Sequence, residues 1–301
     1  MPISVFPNVL VMLGLDHRDD SVLRAIIDSA RRLGVQSVCV CHIENRDPLA
    51  GPLLGLAPDR QPPSGAMPPA LQAAEALLRE NLPADIRVDA KLLIGPTEAV
   101  LVDAVDKTDI DLVVMGRNPA IDGQPGWGSS RRKLLRLTTC SVMVVPHGSE
   151  LDWSRVVCGM DFSQCARAAL SVACRASDSV DAIYQYDPKA VVEAGRKQEE
   201  FRKQVANNAR KLLERDVLGE SSEGLARPNL IVHPGGKVAD VLIRYAQMSP
   251  IVMGSRGMTP LAALLLGSSA DRVAGRALGA VLIVRRKGSV LGLLERLVHK
   301  A

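Results

Sequence analysis

The sequence predicts an α/β chain of two tandem five-stranded, mostly parallel sheets, each with helices on both faces. Three observations carry that prediction. The chain has 301 residues, which suits two domains of about 150. It is 47% hydrophobic but only 3% aromatic, so aliphatic side chains must fill the cores, as in parallel sheets covered on both faces. Its two halves also repeat one another segment by segment.

The first strand spans roughly residues 8–14 and leads, past Asp16, into an amphipathic helix: NVLVMLGLDHRDDSVLRAIIDSARRLG. Residues 155–176, RVVCGMDFSQCARAALSVACRA, repeat the pattern, with Asp161 at the strand's end. Strands near 36–42 and 87–94 follow in the first half, with counterparts near 180–186 and 229–233. LLIGPTEAVLVDAV from residue 92 matches VHPGGKVADVLIRYA from 232, and DLVVMGRNP from 111 matches SPIVMGSRG from 249. These place the fourth strands near 111–115 and 250–253. The last strands fall near 141–145 and 280–284, and each starts its Val run 14 residues after a Gly-Ser-Ser (Gly128 to Val142, Gly267 to Val281). Strands alternating with helices imply right-handed crossovers. Domain boundaries of 1–148 and 149–301 follow, with a linker near 147–154. The Pro- and Gly-rich stretch 46–69 reads as a loop, its counterpart 189–218 as charged helix, and 289–301 as a short amphipathic helix.

Composition narrows the function. Net charge is +4, but residues 1–150 hold 15 Lys and Arg against 18 Asp and Glu, while residues 151–301 hold 22 against 15. A basic second half suits an anionic ligand, although plain solubility explains it equally. Few aromatics argue against a stacking platform for single-stranded nucleic acid. None of the six cysteines forms a C-x-x-C pair, and Cys39 and Cys41 share a strand face. They read as reduced core thiols of a cytoplasmic protein, not a zinc site. The N-terminus lacks a basic region before its apolar run, and no apolar run reaches the roughly 20 residues that span a bilayer, so no membrane partner is expected. His17, His42, His147, His233 and His299 have no metal-ligand spacing, and His42 and His233 read as packing or rim residues. P-loop, dinucleotide and nucleophile-elbow motifs are missing.

One motif carries chemistry. The fourth strand of the second half ends in Gly254-Ser255-Arg256-Gly257, and nine residues later Gly267-Ser268-Ser269 opens a helix. Glycines let a backbone approach a ligand closely. The unsatisfied amides of a helix N-terminus form an anion site, Ser268 and Ser269 can donate to phosphate oxygens, and Arg256 adds a positive charge. Singly, these residues would be read as a turn and a helix cap. Together, at a strand's carboxyl end, they favour a nucleotide.

G-x-x-G-x(9)-G-[ST] after an apolar strand resembles the universal stress protein family, and the likeness covers both halves. The resemblance implies a Rossmann-like, adenine nucleotide alpha hydrolase-like fold that binds ATP or a related adenine nucleotide, with Mg2+ left open. It places Asp161 at adenine or ribose and Gln185 or Tyr186 against adenine. Gly254, Arg256, Gly257, Gly267, Ser268 and Ser269 would hold ribose and phosphates. The first half departs from the pattern. Gly116 is kept, but Pro119 replaces the second glycine and removes an N–H. Gly128-Ser129 arrives one residue early, and Asp122 would repel phosphate. Asp16 reads as the counterpart of Asp161, so Asp16, Gly116, Gly128 and Ser129 mark a degenerate site. Arg131, Arg132 and Lys133 could still meet an anion but read first as a solvated helix face, and Asp271 reads as a solvated helix residue.

The terminal strands VMVV and VLIV are apolar, and open edges aggregate. They are expected to pair, making an intramolecular pseudo-dimer; a homodimer of whole chains stays open. The expectation is a stress-response protein that binds nucleotide mainly in its second domain, as a sensor or regulatory module. A slow ATPase or autokinase and a ligand-free dimerisation scaffold are the rivals. A dedicated ATPase shows a Mg2+ carboxylate and a phosphate lysine, and the sequence offers no recognisable pair of these, nor any catalytic residue.

Overall fold

The computed structural model describes residues 5–44, 66–118, 129–193, 195, 197–212, 225–255 and 267–285. In the first half the strands are β1 (Asn8–Leu13), β2 (Ser37–Glu44), β3 (Arg87–Ile94), β4 (Leu112–Arg117) and β5 (Ser141–Pro146). The second half has β6 (Arg155–Gly159), β7 (Ser179–Tyr186), β8 (Asn229–Pro234), β9 (Ile251–Gly254) and β10 (Val281–Val284). All lie within two residues of the positions expected from the sequence. The helices are α1 (Asp19–Leu33), α2 (Pro69–Asn81), α3 (Thr97–Lys107), α4 (Ser129–Leu137), α5 (Gln164–Ala176), α6 (Pro188–Glu193), α7 (Gln198–Leu212), α8 (Val238–Ala246) and α9 (Ser268–Arg276). The proline-rich stretch 46–65 and the 289–301 segment lie outside the described residues.

Local chemistry explains the boundaries. In α1 the apolar residues Val22, Leu23, Ile26, Ala30 and Leu33 recur at helical spacing and are buried. Asp19 and Asp20 sit at its positive end and Arg31 and Arg32 at its negative end. Gly34, at φ 66°, ends it in the left-handed conformation that glycine takes without strain. At α5, Ser163 caps the helix by accepting from the Ala166 amide.

The strands form one sheet in the order β3-β2-β1-β4-β5-β10-β9-β6-β7-β8. Pairing is parallel within each half. The two five-stranded sheets meet where β5 and β10 run antiparallel, with Val142 opposite Ile283 and Val144 opposite Val281. This is the contact that two apolar terminal edges predict. β5, β9 and β10 are buried at every position. Apolar layers cover both faces and continue across the junction. Val9, Val11, Val156 and Cys158 point into one layer, and Leu10, Val113, Val157 and Val281 into the other, as strand alternation requires.

Polar contacts lock the junction. Arg117, at the end of β4, donates to the carbonyl of Ala277 at the end of α9. Arg285, after β10, donates to the carbonyls of Leu135 and Thr138 at the end of α4. Each half thus caps a helix C-terminus of the other with a guanidinium, a favourable charge there. Arg117 is 2% exposed, and burial pushes its pKa down to about 10. Residues 147–154 are a packed connection: the Gly148 amide donates to Ser21 Oγ at 2.9 Å. Trp153 is buried and its Nε1–H donates to Ser29 Oγ at 3.1 Å, while α1 packs on α5. Trp153→Phe keeps a buried ring but removes that donor and part of the indole's packing. It is expected to cost about 2 kcal/mol, bond and packing together, read as a lower urea midpoint; an unchanged midpoint would show that neither holds the connection in place.

Among the described residues no helix is long and apolar enough to cross a membrane, and no three His, Cys, Asp or Glu gather around a metal position. None of the six cysteines is in a disulfide. Cys39 and Cys41 do face one layer. Burial pushes the thiols of Cys41 and Cys158 strongly up, and that of Cys174 to about 12, so these three stay protonated at neutral pH.

Candidate functional site

Strand order reverses between β1 and β4, and again between β6 and β9. Clefts open at such switch points, at the carboxyl ends of the strands.

In the second half β8 leads into Gly235 (φ 71°) and Gly236 (φ 84°), a left-handed pair that bulkier residues would strain. Lys237 follows as the N-cap of α8. After β9, Ser255 is buried, and its carbonyl accepts from the Gly267 amide at 2.9 Å. Gly267 is the N-cap of α9, so Ser268 and Ser269 fall in the first turn. A cavity of about 290 Å³ lies between these two helix N-termini, walled by Gln185, Gly236, Lys237, Val238, Ala239, Ser268, Ser269 and Arg272. First-turn amides lack intrahelical acceptors, and the dipole adds partial positive charge. Arg272, four residues after Ser268, shares its helix face. Two helix ends, two hydroxyls and two cations make a place for an anionic ligand.

The sequence-derived residues divide accordingly. Gln185, Ser268 and Ser269 line the cavity, and Gly267 caps the helix that bounds it. Tyr186, the neighbour of Gln185, faces the other side of the sheet, with its ring 5.1 Å from Phe201. Asp161 is not in the cavity wall; its Oδ1 accepts from the Ser163 amide at 2.9 Å. It lies in a turn where Phe162 takes φ 61° and sets its ring 5.1 Å from that of Tyr184, tilted by 46°. Burial, and then the Asp161 charge, push the Tyr184 hydroxyl pKa up. Gly254 sits behind the cavity: a Cβ there would come within 2.7 Å of the Cys165 carbonyl carbon and 2.9 Å of the Ala166 nitrogen. Arg256 and Gly257 lie outside the described residues. Lys237 and Arg272 were missed. The signal for Lys237 was the Gly-Gly-Lys before the repeated helix, where Lys237 takes the N-cap position that Pro96 holds in the first half.

That first-half cleft, about 240 Å³, is walled by Asp16, Arg18, Asp19, His42, Thr97, Gly116, Arg117 and Asn118 together with Met12, Ile43, Met115 and Leu134. Asp16, Arg18, Asp19 and Arg117 already have partners within the protein. Arg18 Nε lies 2.9 Å from both Asp16 oxygens and holds that carboxyl well below the usual range. Arg18 also donates to Asn118 Oδ1 at 2.9 Å. The Asp19 carboxylate accepts from the amides of Gly14, Leu15 and Asp16 at 3.0, 2.7 and 3.2 Å. His42 Nδ1 lies 2.9 Å from the Leu13 carbonyl, so that nitrogen carries the proton, while His233 stacks edge-on against Tyr245. Gly128 lies outside the described residues, and Ser129 opens α4.

Two expectations need correction. Asp16 is not the counterpart of Asp161. Met12 pairs with Met115 and Gly159 with Met253, and the left-handed residues of the two turns are Leu15 and Phe162. In that register Asp161 matches Gly14, and Asp16 matches Ser163. Nor are all the charges on α4 and α9 solvated. Arg132 Nε lies 3.2 Å from Asp271 Oδ1, and an Arg136 guanidinium nitrogen 3.6 Å from Asp271 Oδ2. The pairing crosses from one half to the other. Lys133 sits only 3.9 Å from Glu98 and stays exposed, and the side chain of Arg131 lies outside the described residues.

Residues 6–146 and 153–285 each match the universal stress protein family. A functionally unknown protein from Pseudomonas aeruginosa superimposes with a TM-score of 0.63 at 17% identity, over 99% of both chains. A universal stress protein from Archaeoglobus fulgidus gives a TM-score of 0.64 at 16% identity, over 93% of this chain and 98% of that one. Likeness at such identities concerns the fold. No curated protein matches the sequence.

Proposed function

The chain belongs to the universal stress protein family, carrying two copies of its domain, and we propose that it binds ATP or a related adenine nucleotide in the second copy. The observation that carries this reading is the cavity where the N-termini of α8 and α9 converge, with Ser268, Ser269, Lys237 and Arg272 in its wall. Every polar side chain there can donate, Lys237 and Arg272 as cations, while Gln185 and the two hydroxyls can also accept from a base or sugar. The wall carries no carboxylate among the described residues, which favours holding phosphates over activating water. In the first copy the Asp19 carboxylate already takes the amides at the end of β1, and Asp16 pairs with Arg18. That arrangement leaves less for a phosphate chain. Nucleotide occupancy would then act by favouring one conformation or partner over another.

Calorimetric titration of the full chain with ATP and with adenosine tests the reading, with and without Mg2+. Lys237→Ala with Arg272→Ala is expected to weaken ATP binding about thirtyfold, since each lost cation removes on the order of 1 kcal/mol of attraction. Adenosine, which has no phosphate, should bind within about twofold of wild type. A wild-type chain that takes up no ATP at millimolar concentration would end the proposal.

A further inference from the structure

Asp271 stands in the first turn of α9, three residues after Ser268. An acid near a helix N-terminus favours the helix. Beside a phosphate site, however, the same charge repels the ligand. The carboxylate is partly enclosed, with 20% of the side chain exposed, and its Oδ1 is buried without a hydrogen bond. What faces it are two cations of the other domain, Arg132 and Arg136, one helical turn apart on α4. The first domain also holds the far end of α9, through Arg117 on the Ala277 carbonyl. The helix that presents Ser268 and Ser269 is therefore gripped at both ends by the other domain.

We infer that Arg132 and Arg136 are positioning and charge-balancing residues of the second domain's anion site: they neutralise Asp271 and fix the first turn of α9, so that a phosphate chain can dock. The inference rests on reading the second-domain cavity as the nucleotide site. It gives the first domain a part in that site whatever its own cleft holds. Interaction between charges within about 8 Å is only partly screened at physiological salt, so an unpaired Asp271 would be felt at the serines. It would act on phosphates and not on a nucleoside.

The test uses the full chain, calorimetry with ATP and adenosine, and three variants. In Arg132→Ala/Arg136→Ala, ATP affinity is expected to fall about fivefold while adenosine affinity changes less than about twofold. Adding Asp271→Asn to that variant should bring ATP affinity back to within about twofold of wild type. Asp271→Asn alone, which removes no cation, should hold ATP at least as tightly as wild type. A merely structural role predicts instead that ATP and adenosine weaken together and that Asp271→Asn rescues nothing. That pattern, or wild-type ATP affinity in the arginine variant, overturns the inference while ATP binding by wild type keeps the cavity reading. A wild-type chain that binds no ATP removes both.

Discussion

Replacing Gly254 with alanine is expected to lower the stability of the fold by about 3 kcal/mol, before any ligand is considered. The position is buried at the end of β9, where α5 begins against the strand. A Cβ built there falls 2.7 Å from the Cys165 carbonyl carbon, 2.9 Å from the Ala166 nitrogen and 2.9 Å from Cys165 Cβ. Two of these are backbone atoms of the first turn of α5, so no rotamer change relieves the overlap. Overpacking usually costs about 1–3 kcal/mol, and backbone displacement puts this case at the upper end. The chain carries its own control. At the matching Gly116 a Cβ meets only the tip of Val22, 3.0 Å away, which a small rotation can move. Gly116→Ala is therefore expected to cost about 1 kcal/mol or less. Urea unfolding followed by circular dichroism compares the two, with midpoints read directly because a two-domain chain need not unfold in one step. Equal midpoints for the two variants would show that the approach of α5 to β9 is not what fixes glycine at 254.

The outcome bears on how far a loop motif can be read. In the sequence Gly254 and Gly267 look alike, two glycines of one spaced pattern. In the fold Gly254 answers to a helix behind the strand, while Gly267 starts the helix at the cavity. Strand positions were legible because parallel strands buried on both faces must be short, continuous and apolar, as VMVV and VLIV are. Their pairing was legible because apolar edges need cover. The match between Asp16 and Asp161 misled because the turn and helix after the first strand differ in length between the halves: Asn8 pairs with Ser37, but Arg155 with Ser179. An aspartate after each strand draws the eye, whereas the backbone register pairs Asp161 with Gly14. The ion pair of Arg132 with Asp271 was illegible for another reason. Each residue lies on a helix rich in charge, and only the antiparallel joining of β5 and β10 brings α4 beside α9. Lys237 lies in a segment that both halves repeat, but a single lysine after two glycines has no meaning until α8 is seen to point at α9.

Gly267→Val should do the opposite of Gly254→Ala: ATP binding is expected to fall at least thirtyfold with the melting temperature almost unchanged. Gly267 has φ −61° and ψ 142°, a conformation open to any residue, so no backbone strain follows. Its amide donates to the Ser255 carbonyl and its carbonyl accepts from the Asp271 amide, and a valine can keep both bonds. Valine is a poorer N-cap than glycine, a loss of about 1 kcal/mol at most, which is a few degrees in a chain of this size. The branched side chain, however, would stand at the mouth of the first turn of α9, where the amides following Gly267 and the hydroxyls of Ser268 and Ser269 must be approached closely by phosphate oxygens. A phosphate held off by one methyl diameter loses direct hydrogen bonds to a charged group, each worth about 1.5–3 kcal/mol, and two such losses already exceed thirtyfold. Adenosine binding should suffer less, because the block falls on the phosphate side. Calorimetry with both ligands, beside a thermal melt of the same preparations, separates the terms. Wild-type ATP affinity in a normally melting Gly267→Val chain would mean that the helix end is only a cap, and that any nucleotide is held elsewhere.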